Sequence, residues 1–318
     1  EAPADAGGRH GGGVAPLRVV LGHEAAGVVR ACGPGADRFS PGDRVVVSVA
    51  HHCGHCRYCE TGYPPLCLRR FEGRPRYSSR GEGVLQGHGT GTFSTATVLR
   101  QGSLAAVPPG VPLAVATVTG CAVVTGFGAV LHDGGVRPGS SVAVFGCGGV
   151  GLSAVMGAAV SGATQVVAVD PNPVRRQLAL QVGATDAVEP VAGALEALTP
   201  DGFDYTFESA GVVAAMELAV ACTGPTGVTT LMGLPGPEAR LSLPVLAFTN
   251  SAKRLVGCNM GRMRPHVDFP TYFRLYESGR LPLDVLVGRT VPLEEAPLGF
   301  ELAQSGTSAR VLLTNPLD

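Results

Sequence analysis

The second half of the chain alternates short apolar runs with longer stretches that carry apolar residues at helical spacing. The apolar runs predict six strands, at Ser141–Phe145, Gln165–Val169, Ala187–Val188, Tyr205–Glu208, Gly227–Met232 and Arg254–Cys258. The stretches between them predict helices over Gly149–Ser161, Pro173–Gln181, Ala192–Leu198 and Val212–Thr223. Strands that alternate with helices in this way are typical of an α/β fold with a doubly wound parallel sheet.

The first 115 residues or so have a different pattern, in which short strand-like runs are separated by turns. Val19–Arg30 is strand-like on either side of Gly22-His23-Glu24, and Arg44–Val49 is a run rich in β-branched residues. A helix is predicted over Leu113–Leu131. A second one, over Asp268–Ser278, precedes a tail that we expect to return to the first part. The chain is therefore divided into residues 1–117, 118–265 and 266–318.

A glycine turn joins the first strand of the α/β part to its first helix. Gly146-x-Gly148-x-x-Gly151 allows a tight turn and lets the backbone approach a pyrophosphate at the helix N-terminus, with Gly149 and Val150 supplying the intervening amides. Asp170 ends the next strand, at the distance where an acidic residue accepts the ribose hydroxyls of NAD. Because 46 of the 318 residues are glycine, the three-glycine motif alone is weak evidence for a dinucleotide site. The strand before it, the helix after it and the acid at Asp170 make it specific. The unit predicts a Rossmann NAD-binding site.

The acid at Asp170 also predicts the choice of cofactor. Its carboxylate would repel a 2′-phosphate, so we expect NAD(H) to be preferred over NADP(H). Arg175 and Arg176 follow shortly after it. They could pair with that carboxylate, contact the adenosine ribose, or be solvated charges at a helix start.

A cysteine lobe lies between residues 53 and 67. Cys53, Cys56, Cys59 and Cys67 give the spacing Cys-x2-Cys-x2-Cys-x7-Cys, which suits a closed tetrahedral structural zinc site. An iron–sulfur cluster uses different runs, and disulfides would need an oxidising compartment. The neighbouring His51, His52 and His55 are interpreted as surface imidazoles.

Composition narrows the range of partners and compartments. The chain has 45% hydrophobic residues and a net charge of −1, so it lacks the basic excess that nucleic-acid binding needs. We identify no apolar run of about 18 residues, the length of a membrane span, and no signal peptide. We therefore expect a cytoplasmic protein with a small-molecule substrate.

These motifs, in this order, resemble those of the zinc-containing medium-chain alcohol dehydrogenases over essentially the whole chain. The resemblance rests on the cysteine lobe and the glycine turn, and on Gly22-His23-Glu24-Ala25-Ala26-Gly27-Val28-Val29, Gly42-Asp43-Arg44-Val45, Gly120-Cys121-Ala122-Val123-Val124-Thr125-Gly126 and Ser305-Gly306-Thr307-Ser308-Ala309-Arg310. It implies a mostly β, GroES-like catalytic domain that carries the zinc lobe, a Rossmann domain, and an active site between them. Arg310 then belongs to a cofactor-contact segment.

The resemblance also implies a catalytic zinc, which acts as a Lewis acid on the alcohol or carbonyl oxygen during hydride transfer. His23 matches the family's His ligand, Cys121 its second Cys ligand, and Glu24 a carboxylate that can approach the metal. The alternatives are that Cys121 is a buried helix thiol and His23 a turn histidine.

One departure from the family affects this site. Spacing back from His23 places Ala2 where the family has its first zinc-binding Cys. Ala4 and Gly7 then replace the proton-relay residues, and only Asp5 remains. About forty residues that usually form the family's first strands also have no counterpart.

Three hypotheses follow from the departure. In the first, zinc is held by His23, Glu24 and Cys121. In the second, there is no catalytic zinc, and the protein is an NAD(P)H-dependent reductase of an activated C=C or C=N bond. In the third, the missing Cys precedes Glu1. We favour the second over the first, and the third least. A different class is a catalytically silent nucleotide-binding homologue that keeps only the structural zinc. Arg254–Asn259 resembles the strand through which family members pair their sheets, so we expect a homodimer.

Overall fold

The structure is a computed structural model that describes residues 18–70, 72, 77–79 and 81–315. The spacing from His23 placed the first zinc ligand and the relay residues of the family near the start of the chain. Those positions lie outside the described residues; they are Ala2, Ala4, Asp5 and Gly7.

Short strands in two small sheets build the N-terminal part. They are β1 (Val19–Val20), β2 (Ala26–Val28), β3 (Arg44–Val47), β4 (Tyr77–Ser79), β5 (Glu82–Gln86) and β6 (Leu104–Ala106). One sheet is antiparallel with the order β2-β3-β6, and the other has the order β1-β5-β4. The predicted strand from Arg44 ends at Val47, and the hydroxyl of the next residue, Ser48, accepts a hydrogen bond from the Ala50 amide at 3.2 Å. The cysteine lobe carries α1 (Arg57–Glu60), and 3₁₀ turns lie at Pro64–Leu66, Gly87–Gly89 and Gln101–Ser103.

A long apolar helix, α2 (Leu113–Gly134), connects this part to the parallel sheet. It has 22 residues and a mean hydropathy of 1.9 in its most apolar window, so it is long and apolar enough to cross a membrane. The sequence expectation that no apolar run reaches this length was therefore wrong. However, 78% of that window is buried inside the fold, as in the core helix of a globular protein. The predicted boundary between residues 117 and 118 falls within this helix, and the three-part division stays a prediction.

The α/β part contains a six-stranded parallel sheet, as predicted. Its strands are β7 (Ser141–Phe145), β8 (Gln165–Val169), β9 (Asp186–Val188), β10 (Phe203–Glu208), β11 (Thr223–Leu231) and β12 (Arg254–Gly257), in the order β12-β11-β10-β7-β8-β9. The connecting helices are α3 (Gly149–Val160), α4 (Pro173–Gln181), α5 (Ala192–Leu198), α6 (Val213–Cys222) and α7 (Val245–Asn250). Phe145 is in register with Val169 on one side and with Glu208 on the other. The carboxyl ends of these three strands therefore meet at one edge, beside the point where the strand order reverses, and ligands bind at such a point in α/β sheets.

The tail after β12 lies against the N-terminal part. It contains α8 (Pro265–Glu277), β13 (Thr290–Pro292), α9 (Ala296–Gln304) and β14 (Leu312–Thr314), with 3₁₀ turns at Met260–Arg262, Leu283–Leu286 and Leu293–Glu295. The rings of Phe93 and Phe300 meet edge to face at 5.9 Å, and Asn315 donates to the carbonyl of Thr95 at 2.7 Å. These contacts carry the last segment of the chain back to the site region.

Candidate active site

The turn between β7 and α3 has the backbone geometry of a phosphate-binding loop. Gly146 has a φ of 86°, and a Cβ on Gly151 would overlap the Gly146 carbonyl oxygen, so both positions require glycine. Gly148 differs, because no described atom lies within 4 Å of a Cβ built there. The amides of Gly149 and Val150, in the first turn of α3, have no partner within the helix. An open side next to orphaned amides fits the diphosphate of a dinucleotide.

Asp170 is fixed at the end of β8, next to this turn. Its side chain is 3% exposed, and its two carboxylate oxygens accept hydrogen bonds from the amides of Cys147 at 2.7 Å and Asn172 at 2.8 Å. The turn and the acid are thus joined directly, and the carboxylate is oriented before any ligand binds.

The two arginines that follow Asp170 have different partners. Arg175 lies 4.0 Å from the Asp170 carboxylate and is partly exposed. Arg176 donates to the carbonyl oxygen of Asp170 at 2.7 Å and pairs with Glu189 at 3.2 Å. Only Arg175 therefore faces the carboxylate that sequence analysis assigned to ribose binding.

Arg310 reaches from the tail to the start of α3. A Cβ on Gly149 would overlap the Arg310 guanidinium, so that group lies directly over the glycine turn. Its Nε also pairs with the Glu24 carboxylate at 3.3 Å. The predicted cofactor-contact residue thus joins the glycine turn to the predicted catalytic residues.

Two tight glycine contacts bring the predicted catalytic residues together. Gly22 has a φ of 88° and packs against Phe93, and His23 and Glu24 follow it. A Cβ on Gly120 would lie 2.8 Å from the Val47 carbonyl oxygen and 3.6 Å from the Cα of Glu24, so only glycine lets α2 come this close.

Cys121 follows Gly120 in a wide, π-type turn of α2 at Thr119–Val123, a feature that is frequent at functional sites. One ligand atom each from His23, Glu24 and Cys121 lies within 4.8 Å of the other two. A nitrogen, an oxygen and a sulfur donor at this separation fit a zinc ion.

The environment of these groups suits a buried cation. Burial, followed by the charge of His88, lowers the pKa of His23 and so favours the neutral imidazole, the form that binds metal ions. Burial, followed by the charge of Glu24, raises the pKa of the Cys121 thiol to about 12. A bound divalent cation would reverse the second effect, because a coordinating thiol is deprotonated.

The four cysteines of the lobe form a second donor set. The Sγ atoms of Cys56 and Cys59 are 3.5 Å apart, and two further pairs are 4.0 Å apart. Four thiolates around one zinc at about 2.3 Å would be separated by roughly 3.8 Å. The Cys67 sulfur accepts from the amides of Cys53 and Arg69, both at 3.3 Å. Backbone hydrogen bonds lower the pKa of Cys56 to about 6. The set fits the predicted structural zinc.

The histidines beside the lobe differ from one another. His55 is exposed, as predicted. The surface interpretation was wrong for His51, which is 9% exposed and has its Nδ1 atom 2.7 Å from the Ser103 hydroxyl. None of the three belongs to the cysteine set among the described residues.

Sequence reasoning missed two residues near the site. Glu208 is fully buried at the end of β10; its Oε1 accepts from the Gly211 amide at 2.8 Å, and burial raises its pKa. An acid that ends a buried strand could have indicated it. The ring of His88 lies 4.6 Å from that of His23. No local pattern marks His88, since it is brought there by contacts between distant segments.

Comparisons with known proteins agree with this arrangement. The model of the alcohol dehydrogenase GroES-like domain matches residues 3–109, and that of the zinc-binding dehydrogenases matches residues 149–278. Geraniol dehydrogenase of Castellaniella defragrans is 36% identical over 292 residues, which cover 86% of this chain and 78% of that protein. The chain belongs to the zinc-containing medium-chain alcohol dehydrogenase family.

Solved structures of family members resemble this chain closely. An alcohol dehydrogenase zinc-binding domain protein from Burkholderia ambifaria is 33% identical, with a TM-score of 0.89 over 95% of this chain and 85% of its own. Benzyl alcohol dehydrogenase from Acinetobacter calcoaceticus is 30% identical, with a TM-score of 0.87 over 94% and 84%. The predicted GroES-like and Rossmann architecture is therefore confirmed, and the protein is an NAD(P)-dependent oxidoreductase of this alcohol dehydrogenase family.

Proposed function

We propose that this dehydrogenase interconverts primary alcohols and aldehydes with NAD(H), using a zinc held by His23, Glu24 and Cys121. The observation that carries the proposal is the convergence of these three donors beside the cofactor turn. Three protein ligands suffice for a catalytic zinc and leave a position for substrate oxygen. The bound zinc would polarise that oxygen. The donor set favours this function over the zinc-free reductase that the sequence alone had favoured.

Arg310 is proposed to bind the cofactor diphosphate. Its guanidinium lies over Gly149, where the amides at the start of α3 are available to an anion. Its second partner, Glu24, belongs to the metal set. Cofactor binding would draw Arg310 toward the diphosphate and weaken its ion pair with Glu24. One side chain thus links the cofactor site to the metal site.

NAD(H) is proposed as the preferred cofactor because of the charges around Asp170. The Asp170 carboxylate is oriented by two amides, and a 2′-phosphate next to it would be repelled. Arg176 is paired with Glu189 and so is not available to neutralise that phosphate. Arg175, 4.0 Å from Asp170, faces the carboxylate itself.

The proposed substrate class is that of apolar primary alcohols, such as allylic or benzylic ones. Phe93 packs against Gly22, next to His23, and meets Phe300 edge to face. The two residues are 37% and 47% exposed, so they present apolar surface near the metal set. Geraniol and benzyl alcohol, after which two dehydrogenases similar to this chain are named, are apolar alcohols that suit such a surface.

We propose a homodimer that works in the cytoplasm. Among the described strands, β12 pairs only with β11, which leaves one edge of the sheet open. Leu234, Val245 and Leu246, in the chain between β11 and β12, are 91%, 73% and 75% exposed. An open sheet edge and exposed apolar side chains are both liabilities unless a partner covers them. The cytoplasm is proposed because its thiols stay reduced, as the two cysteine-containing metal sets require.

Turnover assays with the purified full chain test the proposed reaction. NADH formation is measured with geraniol, benzyl alcohol and ethanol, and NADH consumption with the matching aldehydes and with enones. We expect turnover of the two larger alcohols and its loss in Cys121→Ser, with Cys32→Ser as the control because Cys32 is exposed and outside both metal sets. Consumption of NADH with enones alone would support the reductase. Binding of NADH without any turnover would support a silent homologue.

Light scattering tests the proposed assembly. We expect a dimer at micromolar concentration and a monomer for Leu246→Glu. Leu68→Glu is the control, since Leu68 is 66% exposed and directly follows the cysteine lobe, in a different part of the chain from Leu246. A wild-type monomer would contradict the proposal.

A further inference from the structure

The side chain of Asn172 connects the end of the parallel sheet to the tail of the chain. Its Oδ1 atom accepts a hydrogen bond from the Val174 amide at 2.9 Å and so caps the N-terminus of α4. Its Nδ2 atom donates to the carbonyl oxygen of Gly306 at 3.3 Å, although 134 positions separate the two residues. Helix capping uses only the oxygen, so the bond to the tail is an additional interaction that the amide nitrogen provides.

Gly306 fits closely against Asn172. It is buried although its neighbours Ser305 and Thr307 are exposed. Its φ of 68° lies in the left-handed region that favours glycine. A Cβ built on it would lie 3.3 Å from the Asn172 Nδ2 atom and 3.4 Å from a guanidinium nitrogen of Arg175. Because Gly306 has no side chain, the tail can approach the segment that follows β8.

This contact lies at the adenosine end of the proposed cofactor site. The Asn172 amide donates at 2.8 Å to the carboxylate of Asp170, the acid that sequence analysis assigned to the ribose hydroxyls. Arg175 lies 4.0 Å from the same carboxylate. The tail is therefore joined to the α/β part next to the groups proposed to surround the adenosine ribose.

The same tail segment also reaches the diphosphate end of that site. Arg310 is four positions beyond Gly306, and its guanidinium lies over Gly149 at the start of α3. The chain between the two contact points has little slack, because each residue spans at most about 3.6 Å. A shift of Gly306 would therefore move the backbone that carries Arg310.

We propose that Asn172 is a positioning residue for the cofactor: through Gly306 it fixes the segment Ser305–Arg310, and so places the Arg310 guanidinium at the diphosphate. The dinucleotide then lies beside a tail segment that is fastened at both ends. Loss of the Asn172 bond frees the end near the adenosine, so we expect faster cofactor release rather than slower entry. The inference rests on the diphosphate contact proposed for Arg310 and adds the residue that sets its place.

Asn172→Ser separates the two interactions of this side chain. Serine caps helices about as well as asparagine, but it lacks the amide that bonds to Gly306. We expect an unchanged Tm and an NADH dissociation constant that is about 3–10-fold higher, the range for one hydrogen bond. Stopped-flow fluorescence should assign most of this change to release. Asn172→Ala loses the cap as well and should also lower the Tm, by about 2–4 °C. Wild-type NADH affinity in Asn172→Ser would overturn the inference.

A double-mutant cycle tests whether Asn172 acts through Arg310. When Arg310→Ala has removed the guanidinium, its position no longer matters, so Asn172→Ser should then change NADH affinity by less than about twofold. An equal effect of Asn172→Ser in both backgrounds would mean that Asn172 contacts the cofactor directly, and it would overturn the positioning role.

Gly306→Ala and Gly279→Ala form a matched pair. Gly279 has a φ of 72°, so alanine there introduces a similar backbone strain, but no described atom lies within 4 Å of a Cβ built on it. Both variants should lower the Tm, and only Gly306→Ala should weaken NADH binding. Equal NADH affinity of the two variants would overturn the inference.

The single variant Arg310→Ala separates this inference from the function on which it rests. If Arg310→Ala binds NADH like the wild type, the proposed diphosphate contact fails, and the inference fails with it. If it binds NADH weakly while Asn172→Ser binds NADH like the wild type, only the role of Asn172 is refuted. Alcohol turnover by the same samples reports separately on the proposed reaction.

Discussion

Two guanidinium nitrogens of Arg310 face the two carboxylate oxygens of Glu24, although 286 positions separate these residues in the chain. The pair lies between the glycine turn and the metal set, and both side chains are mostly buried. A charge pair in this place can respond to cofactor on one side and to metal on the other.

We expect Arg310→Ala to weaken NADH binding. A hydrogen bond to a charged group contributes about 1.5–3 kcal/mol, so the dissociation constant should rise by about 10–100-fold. Fluorescence titration of NADH measures it, with Arg137→Ala as a control at an exposed position. If Arg310→Ala binds NADH as the wild type does, the guanidinium does not contact the cofactor.

Asp170→Gly should change the relative affinity for the two reduced cofactors. Removal of the carboxylate takes away both its contact with ribose hydroxyls and its repulsion of a 2′-phosphate. We expect NADH binding to weaken by about tenfold relative to NADPH. Paired titrations give the ratio, and Asp186→Asn, which changes a charge at the start of β9, serves as the control. An unchanged ratio would remove Asp170 from cofactor selection.

The glycine turn allows a matched pair of substitutions. Gly148 has a φ of −73°, which any residue adopts, and open space around it, so Gly148→Ala should fold normally while its methyl group obstructs the diphosphate. Gly151→Ala should instead destabilise the fold, because the new Cβ overlaps the Gly146 carbonyl. Thermal unfolding and NADH titration separate the two effects. Normal NADH binding by Gly148→Ala would show that the dinucleotide does not cross this turn.

Removing one lobe ligand should lower stability. In Cys56→Ser the zinc loses a thiolate, and metal binding at such sites stabilises the fold directly. We expect one zinc fewer per chain and a Tm lower by about 5 °C or more. Cys32→Ser is the control, and calorimetry with metal analysis is the measurement. Wild-type zinc content in Cys56→Ser would mean that the lobe holds its metal by other groups.

The parallel sheet could be predicted because its inner strands are buried on both faces. Val142, Val144, Val167 and Ala168 are all fully buried, and strands of this kind leave continuous apolar runs in a sequence. Among the strands of this sheet, the predicted and observed bounds differ most at β11, which begins at Thr223 rather than at the predicted Gly227. The buried hydroxyls of Thr223 and Thr229 in β11 hydrogen-bond each other and the Thr206 hydroxyl of β10, so the strand extends through polar residues that the apolar pattern did not mark.

The site was only partly predictable, for a physical reason. His23, Cys121 and the glycine turn belong to local motifs, whereas their mutual placement depends on contacts such as that of Gly120 with Val47. His88 depends wholly on hydrogen bonds between segments far apart in the chain. Sequence patterns report local preference, and they do not record which distant loops meet.

Metal content tests the central claim most directly. The full chain, purified without added zinc and dialysed against a weak chelator, is measured for zinc per chain by mass spectrometry, together with Cys121→Ser and Cys56→Ser. We expect about two zinc ions in the wild type and one in each variant, because the described residues form two donor sets. One zinc ion in the wild type and in Cys121→Ser alike would contradict a catalytic zinc at His23, Glu24 and Cys121.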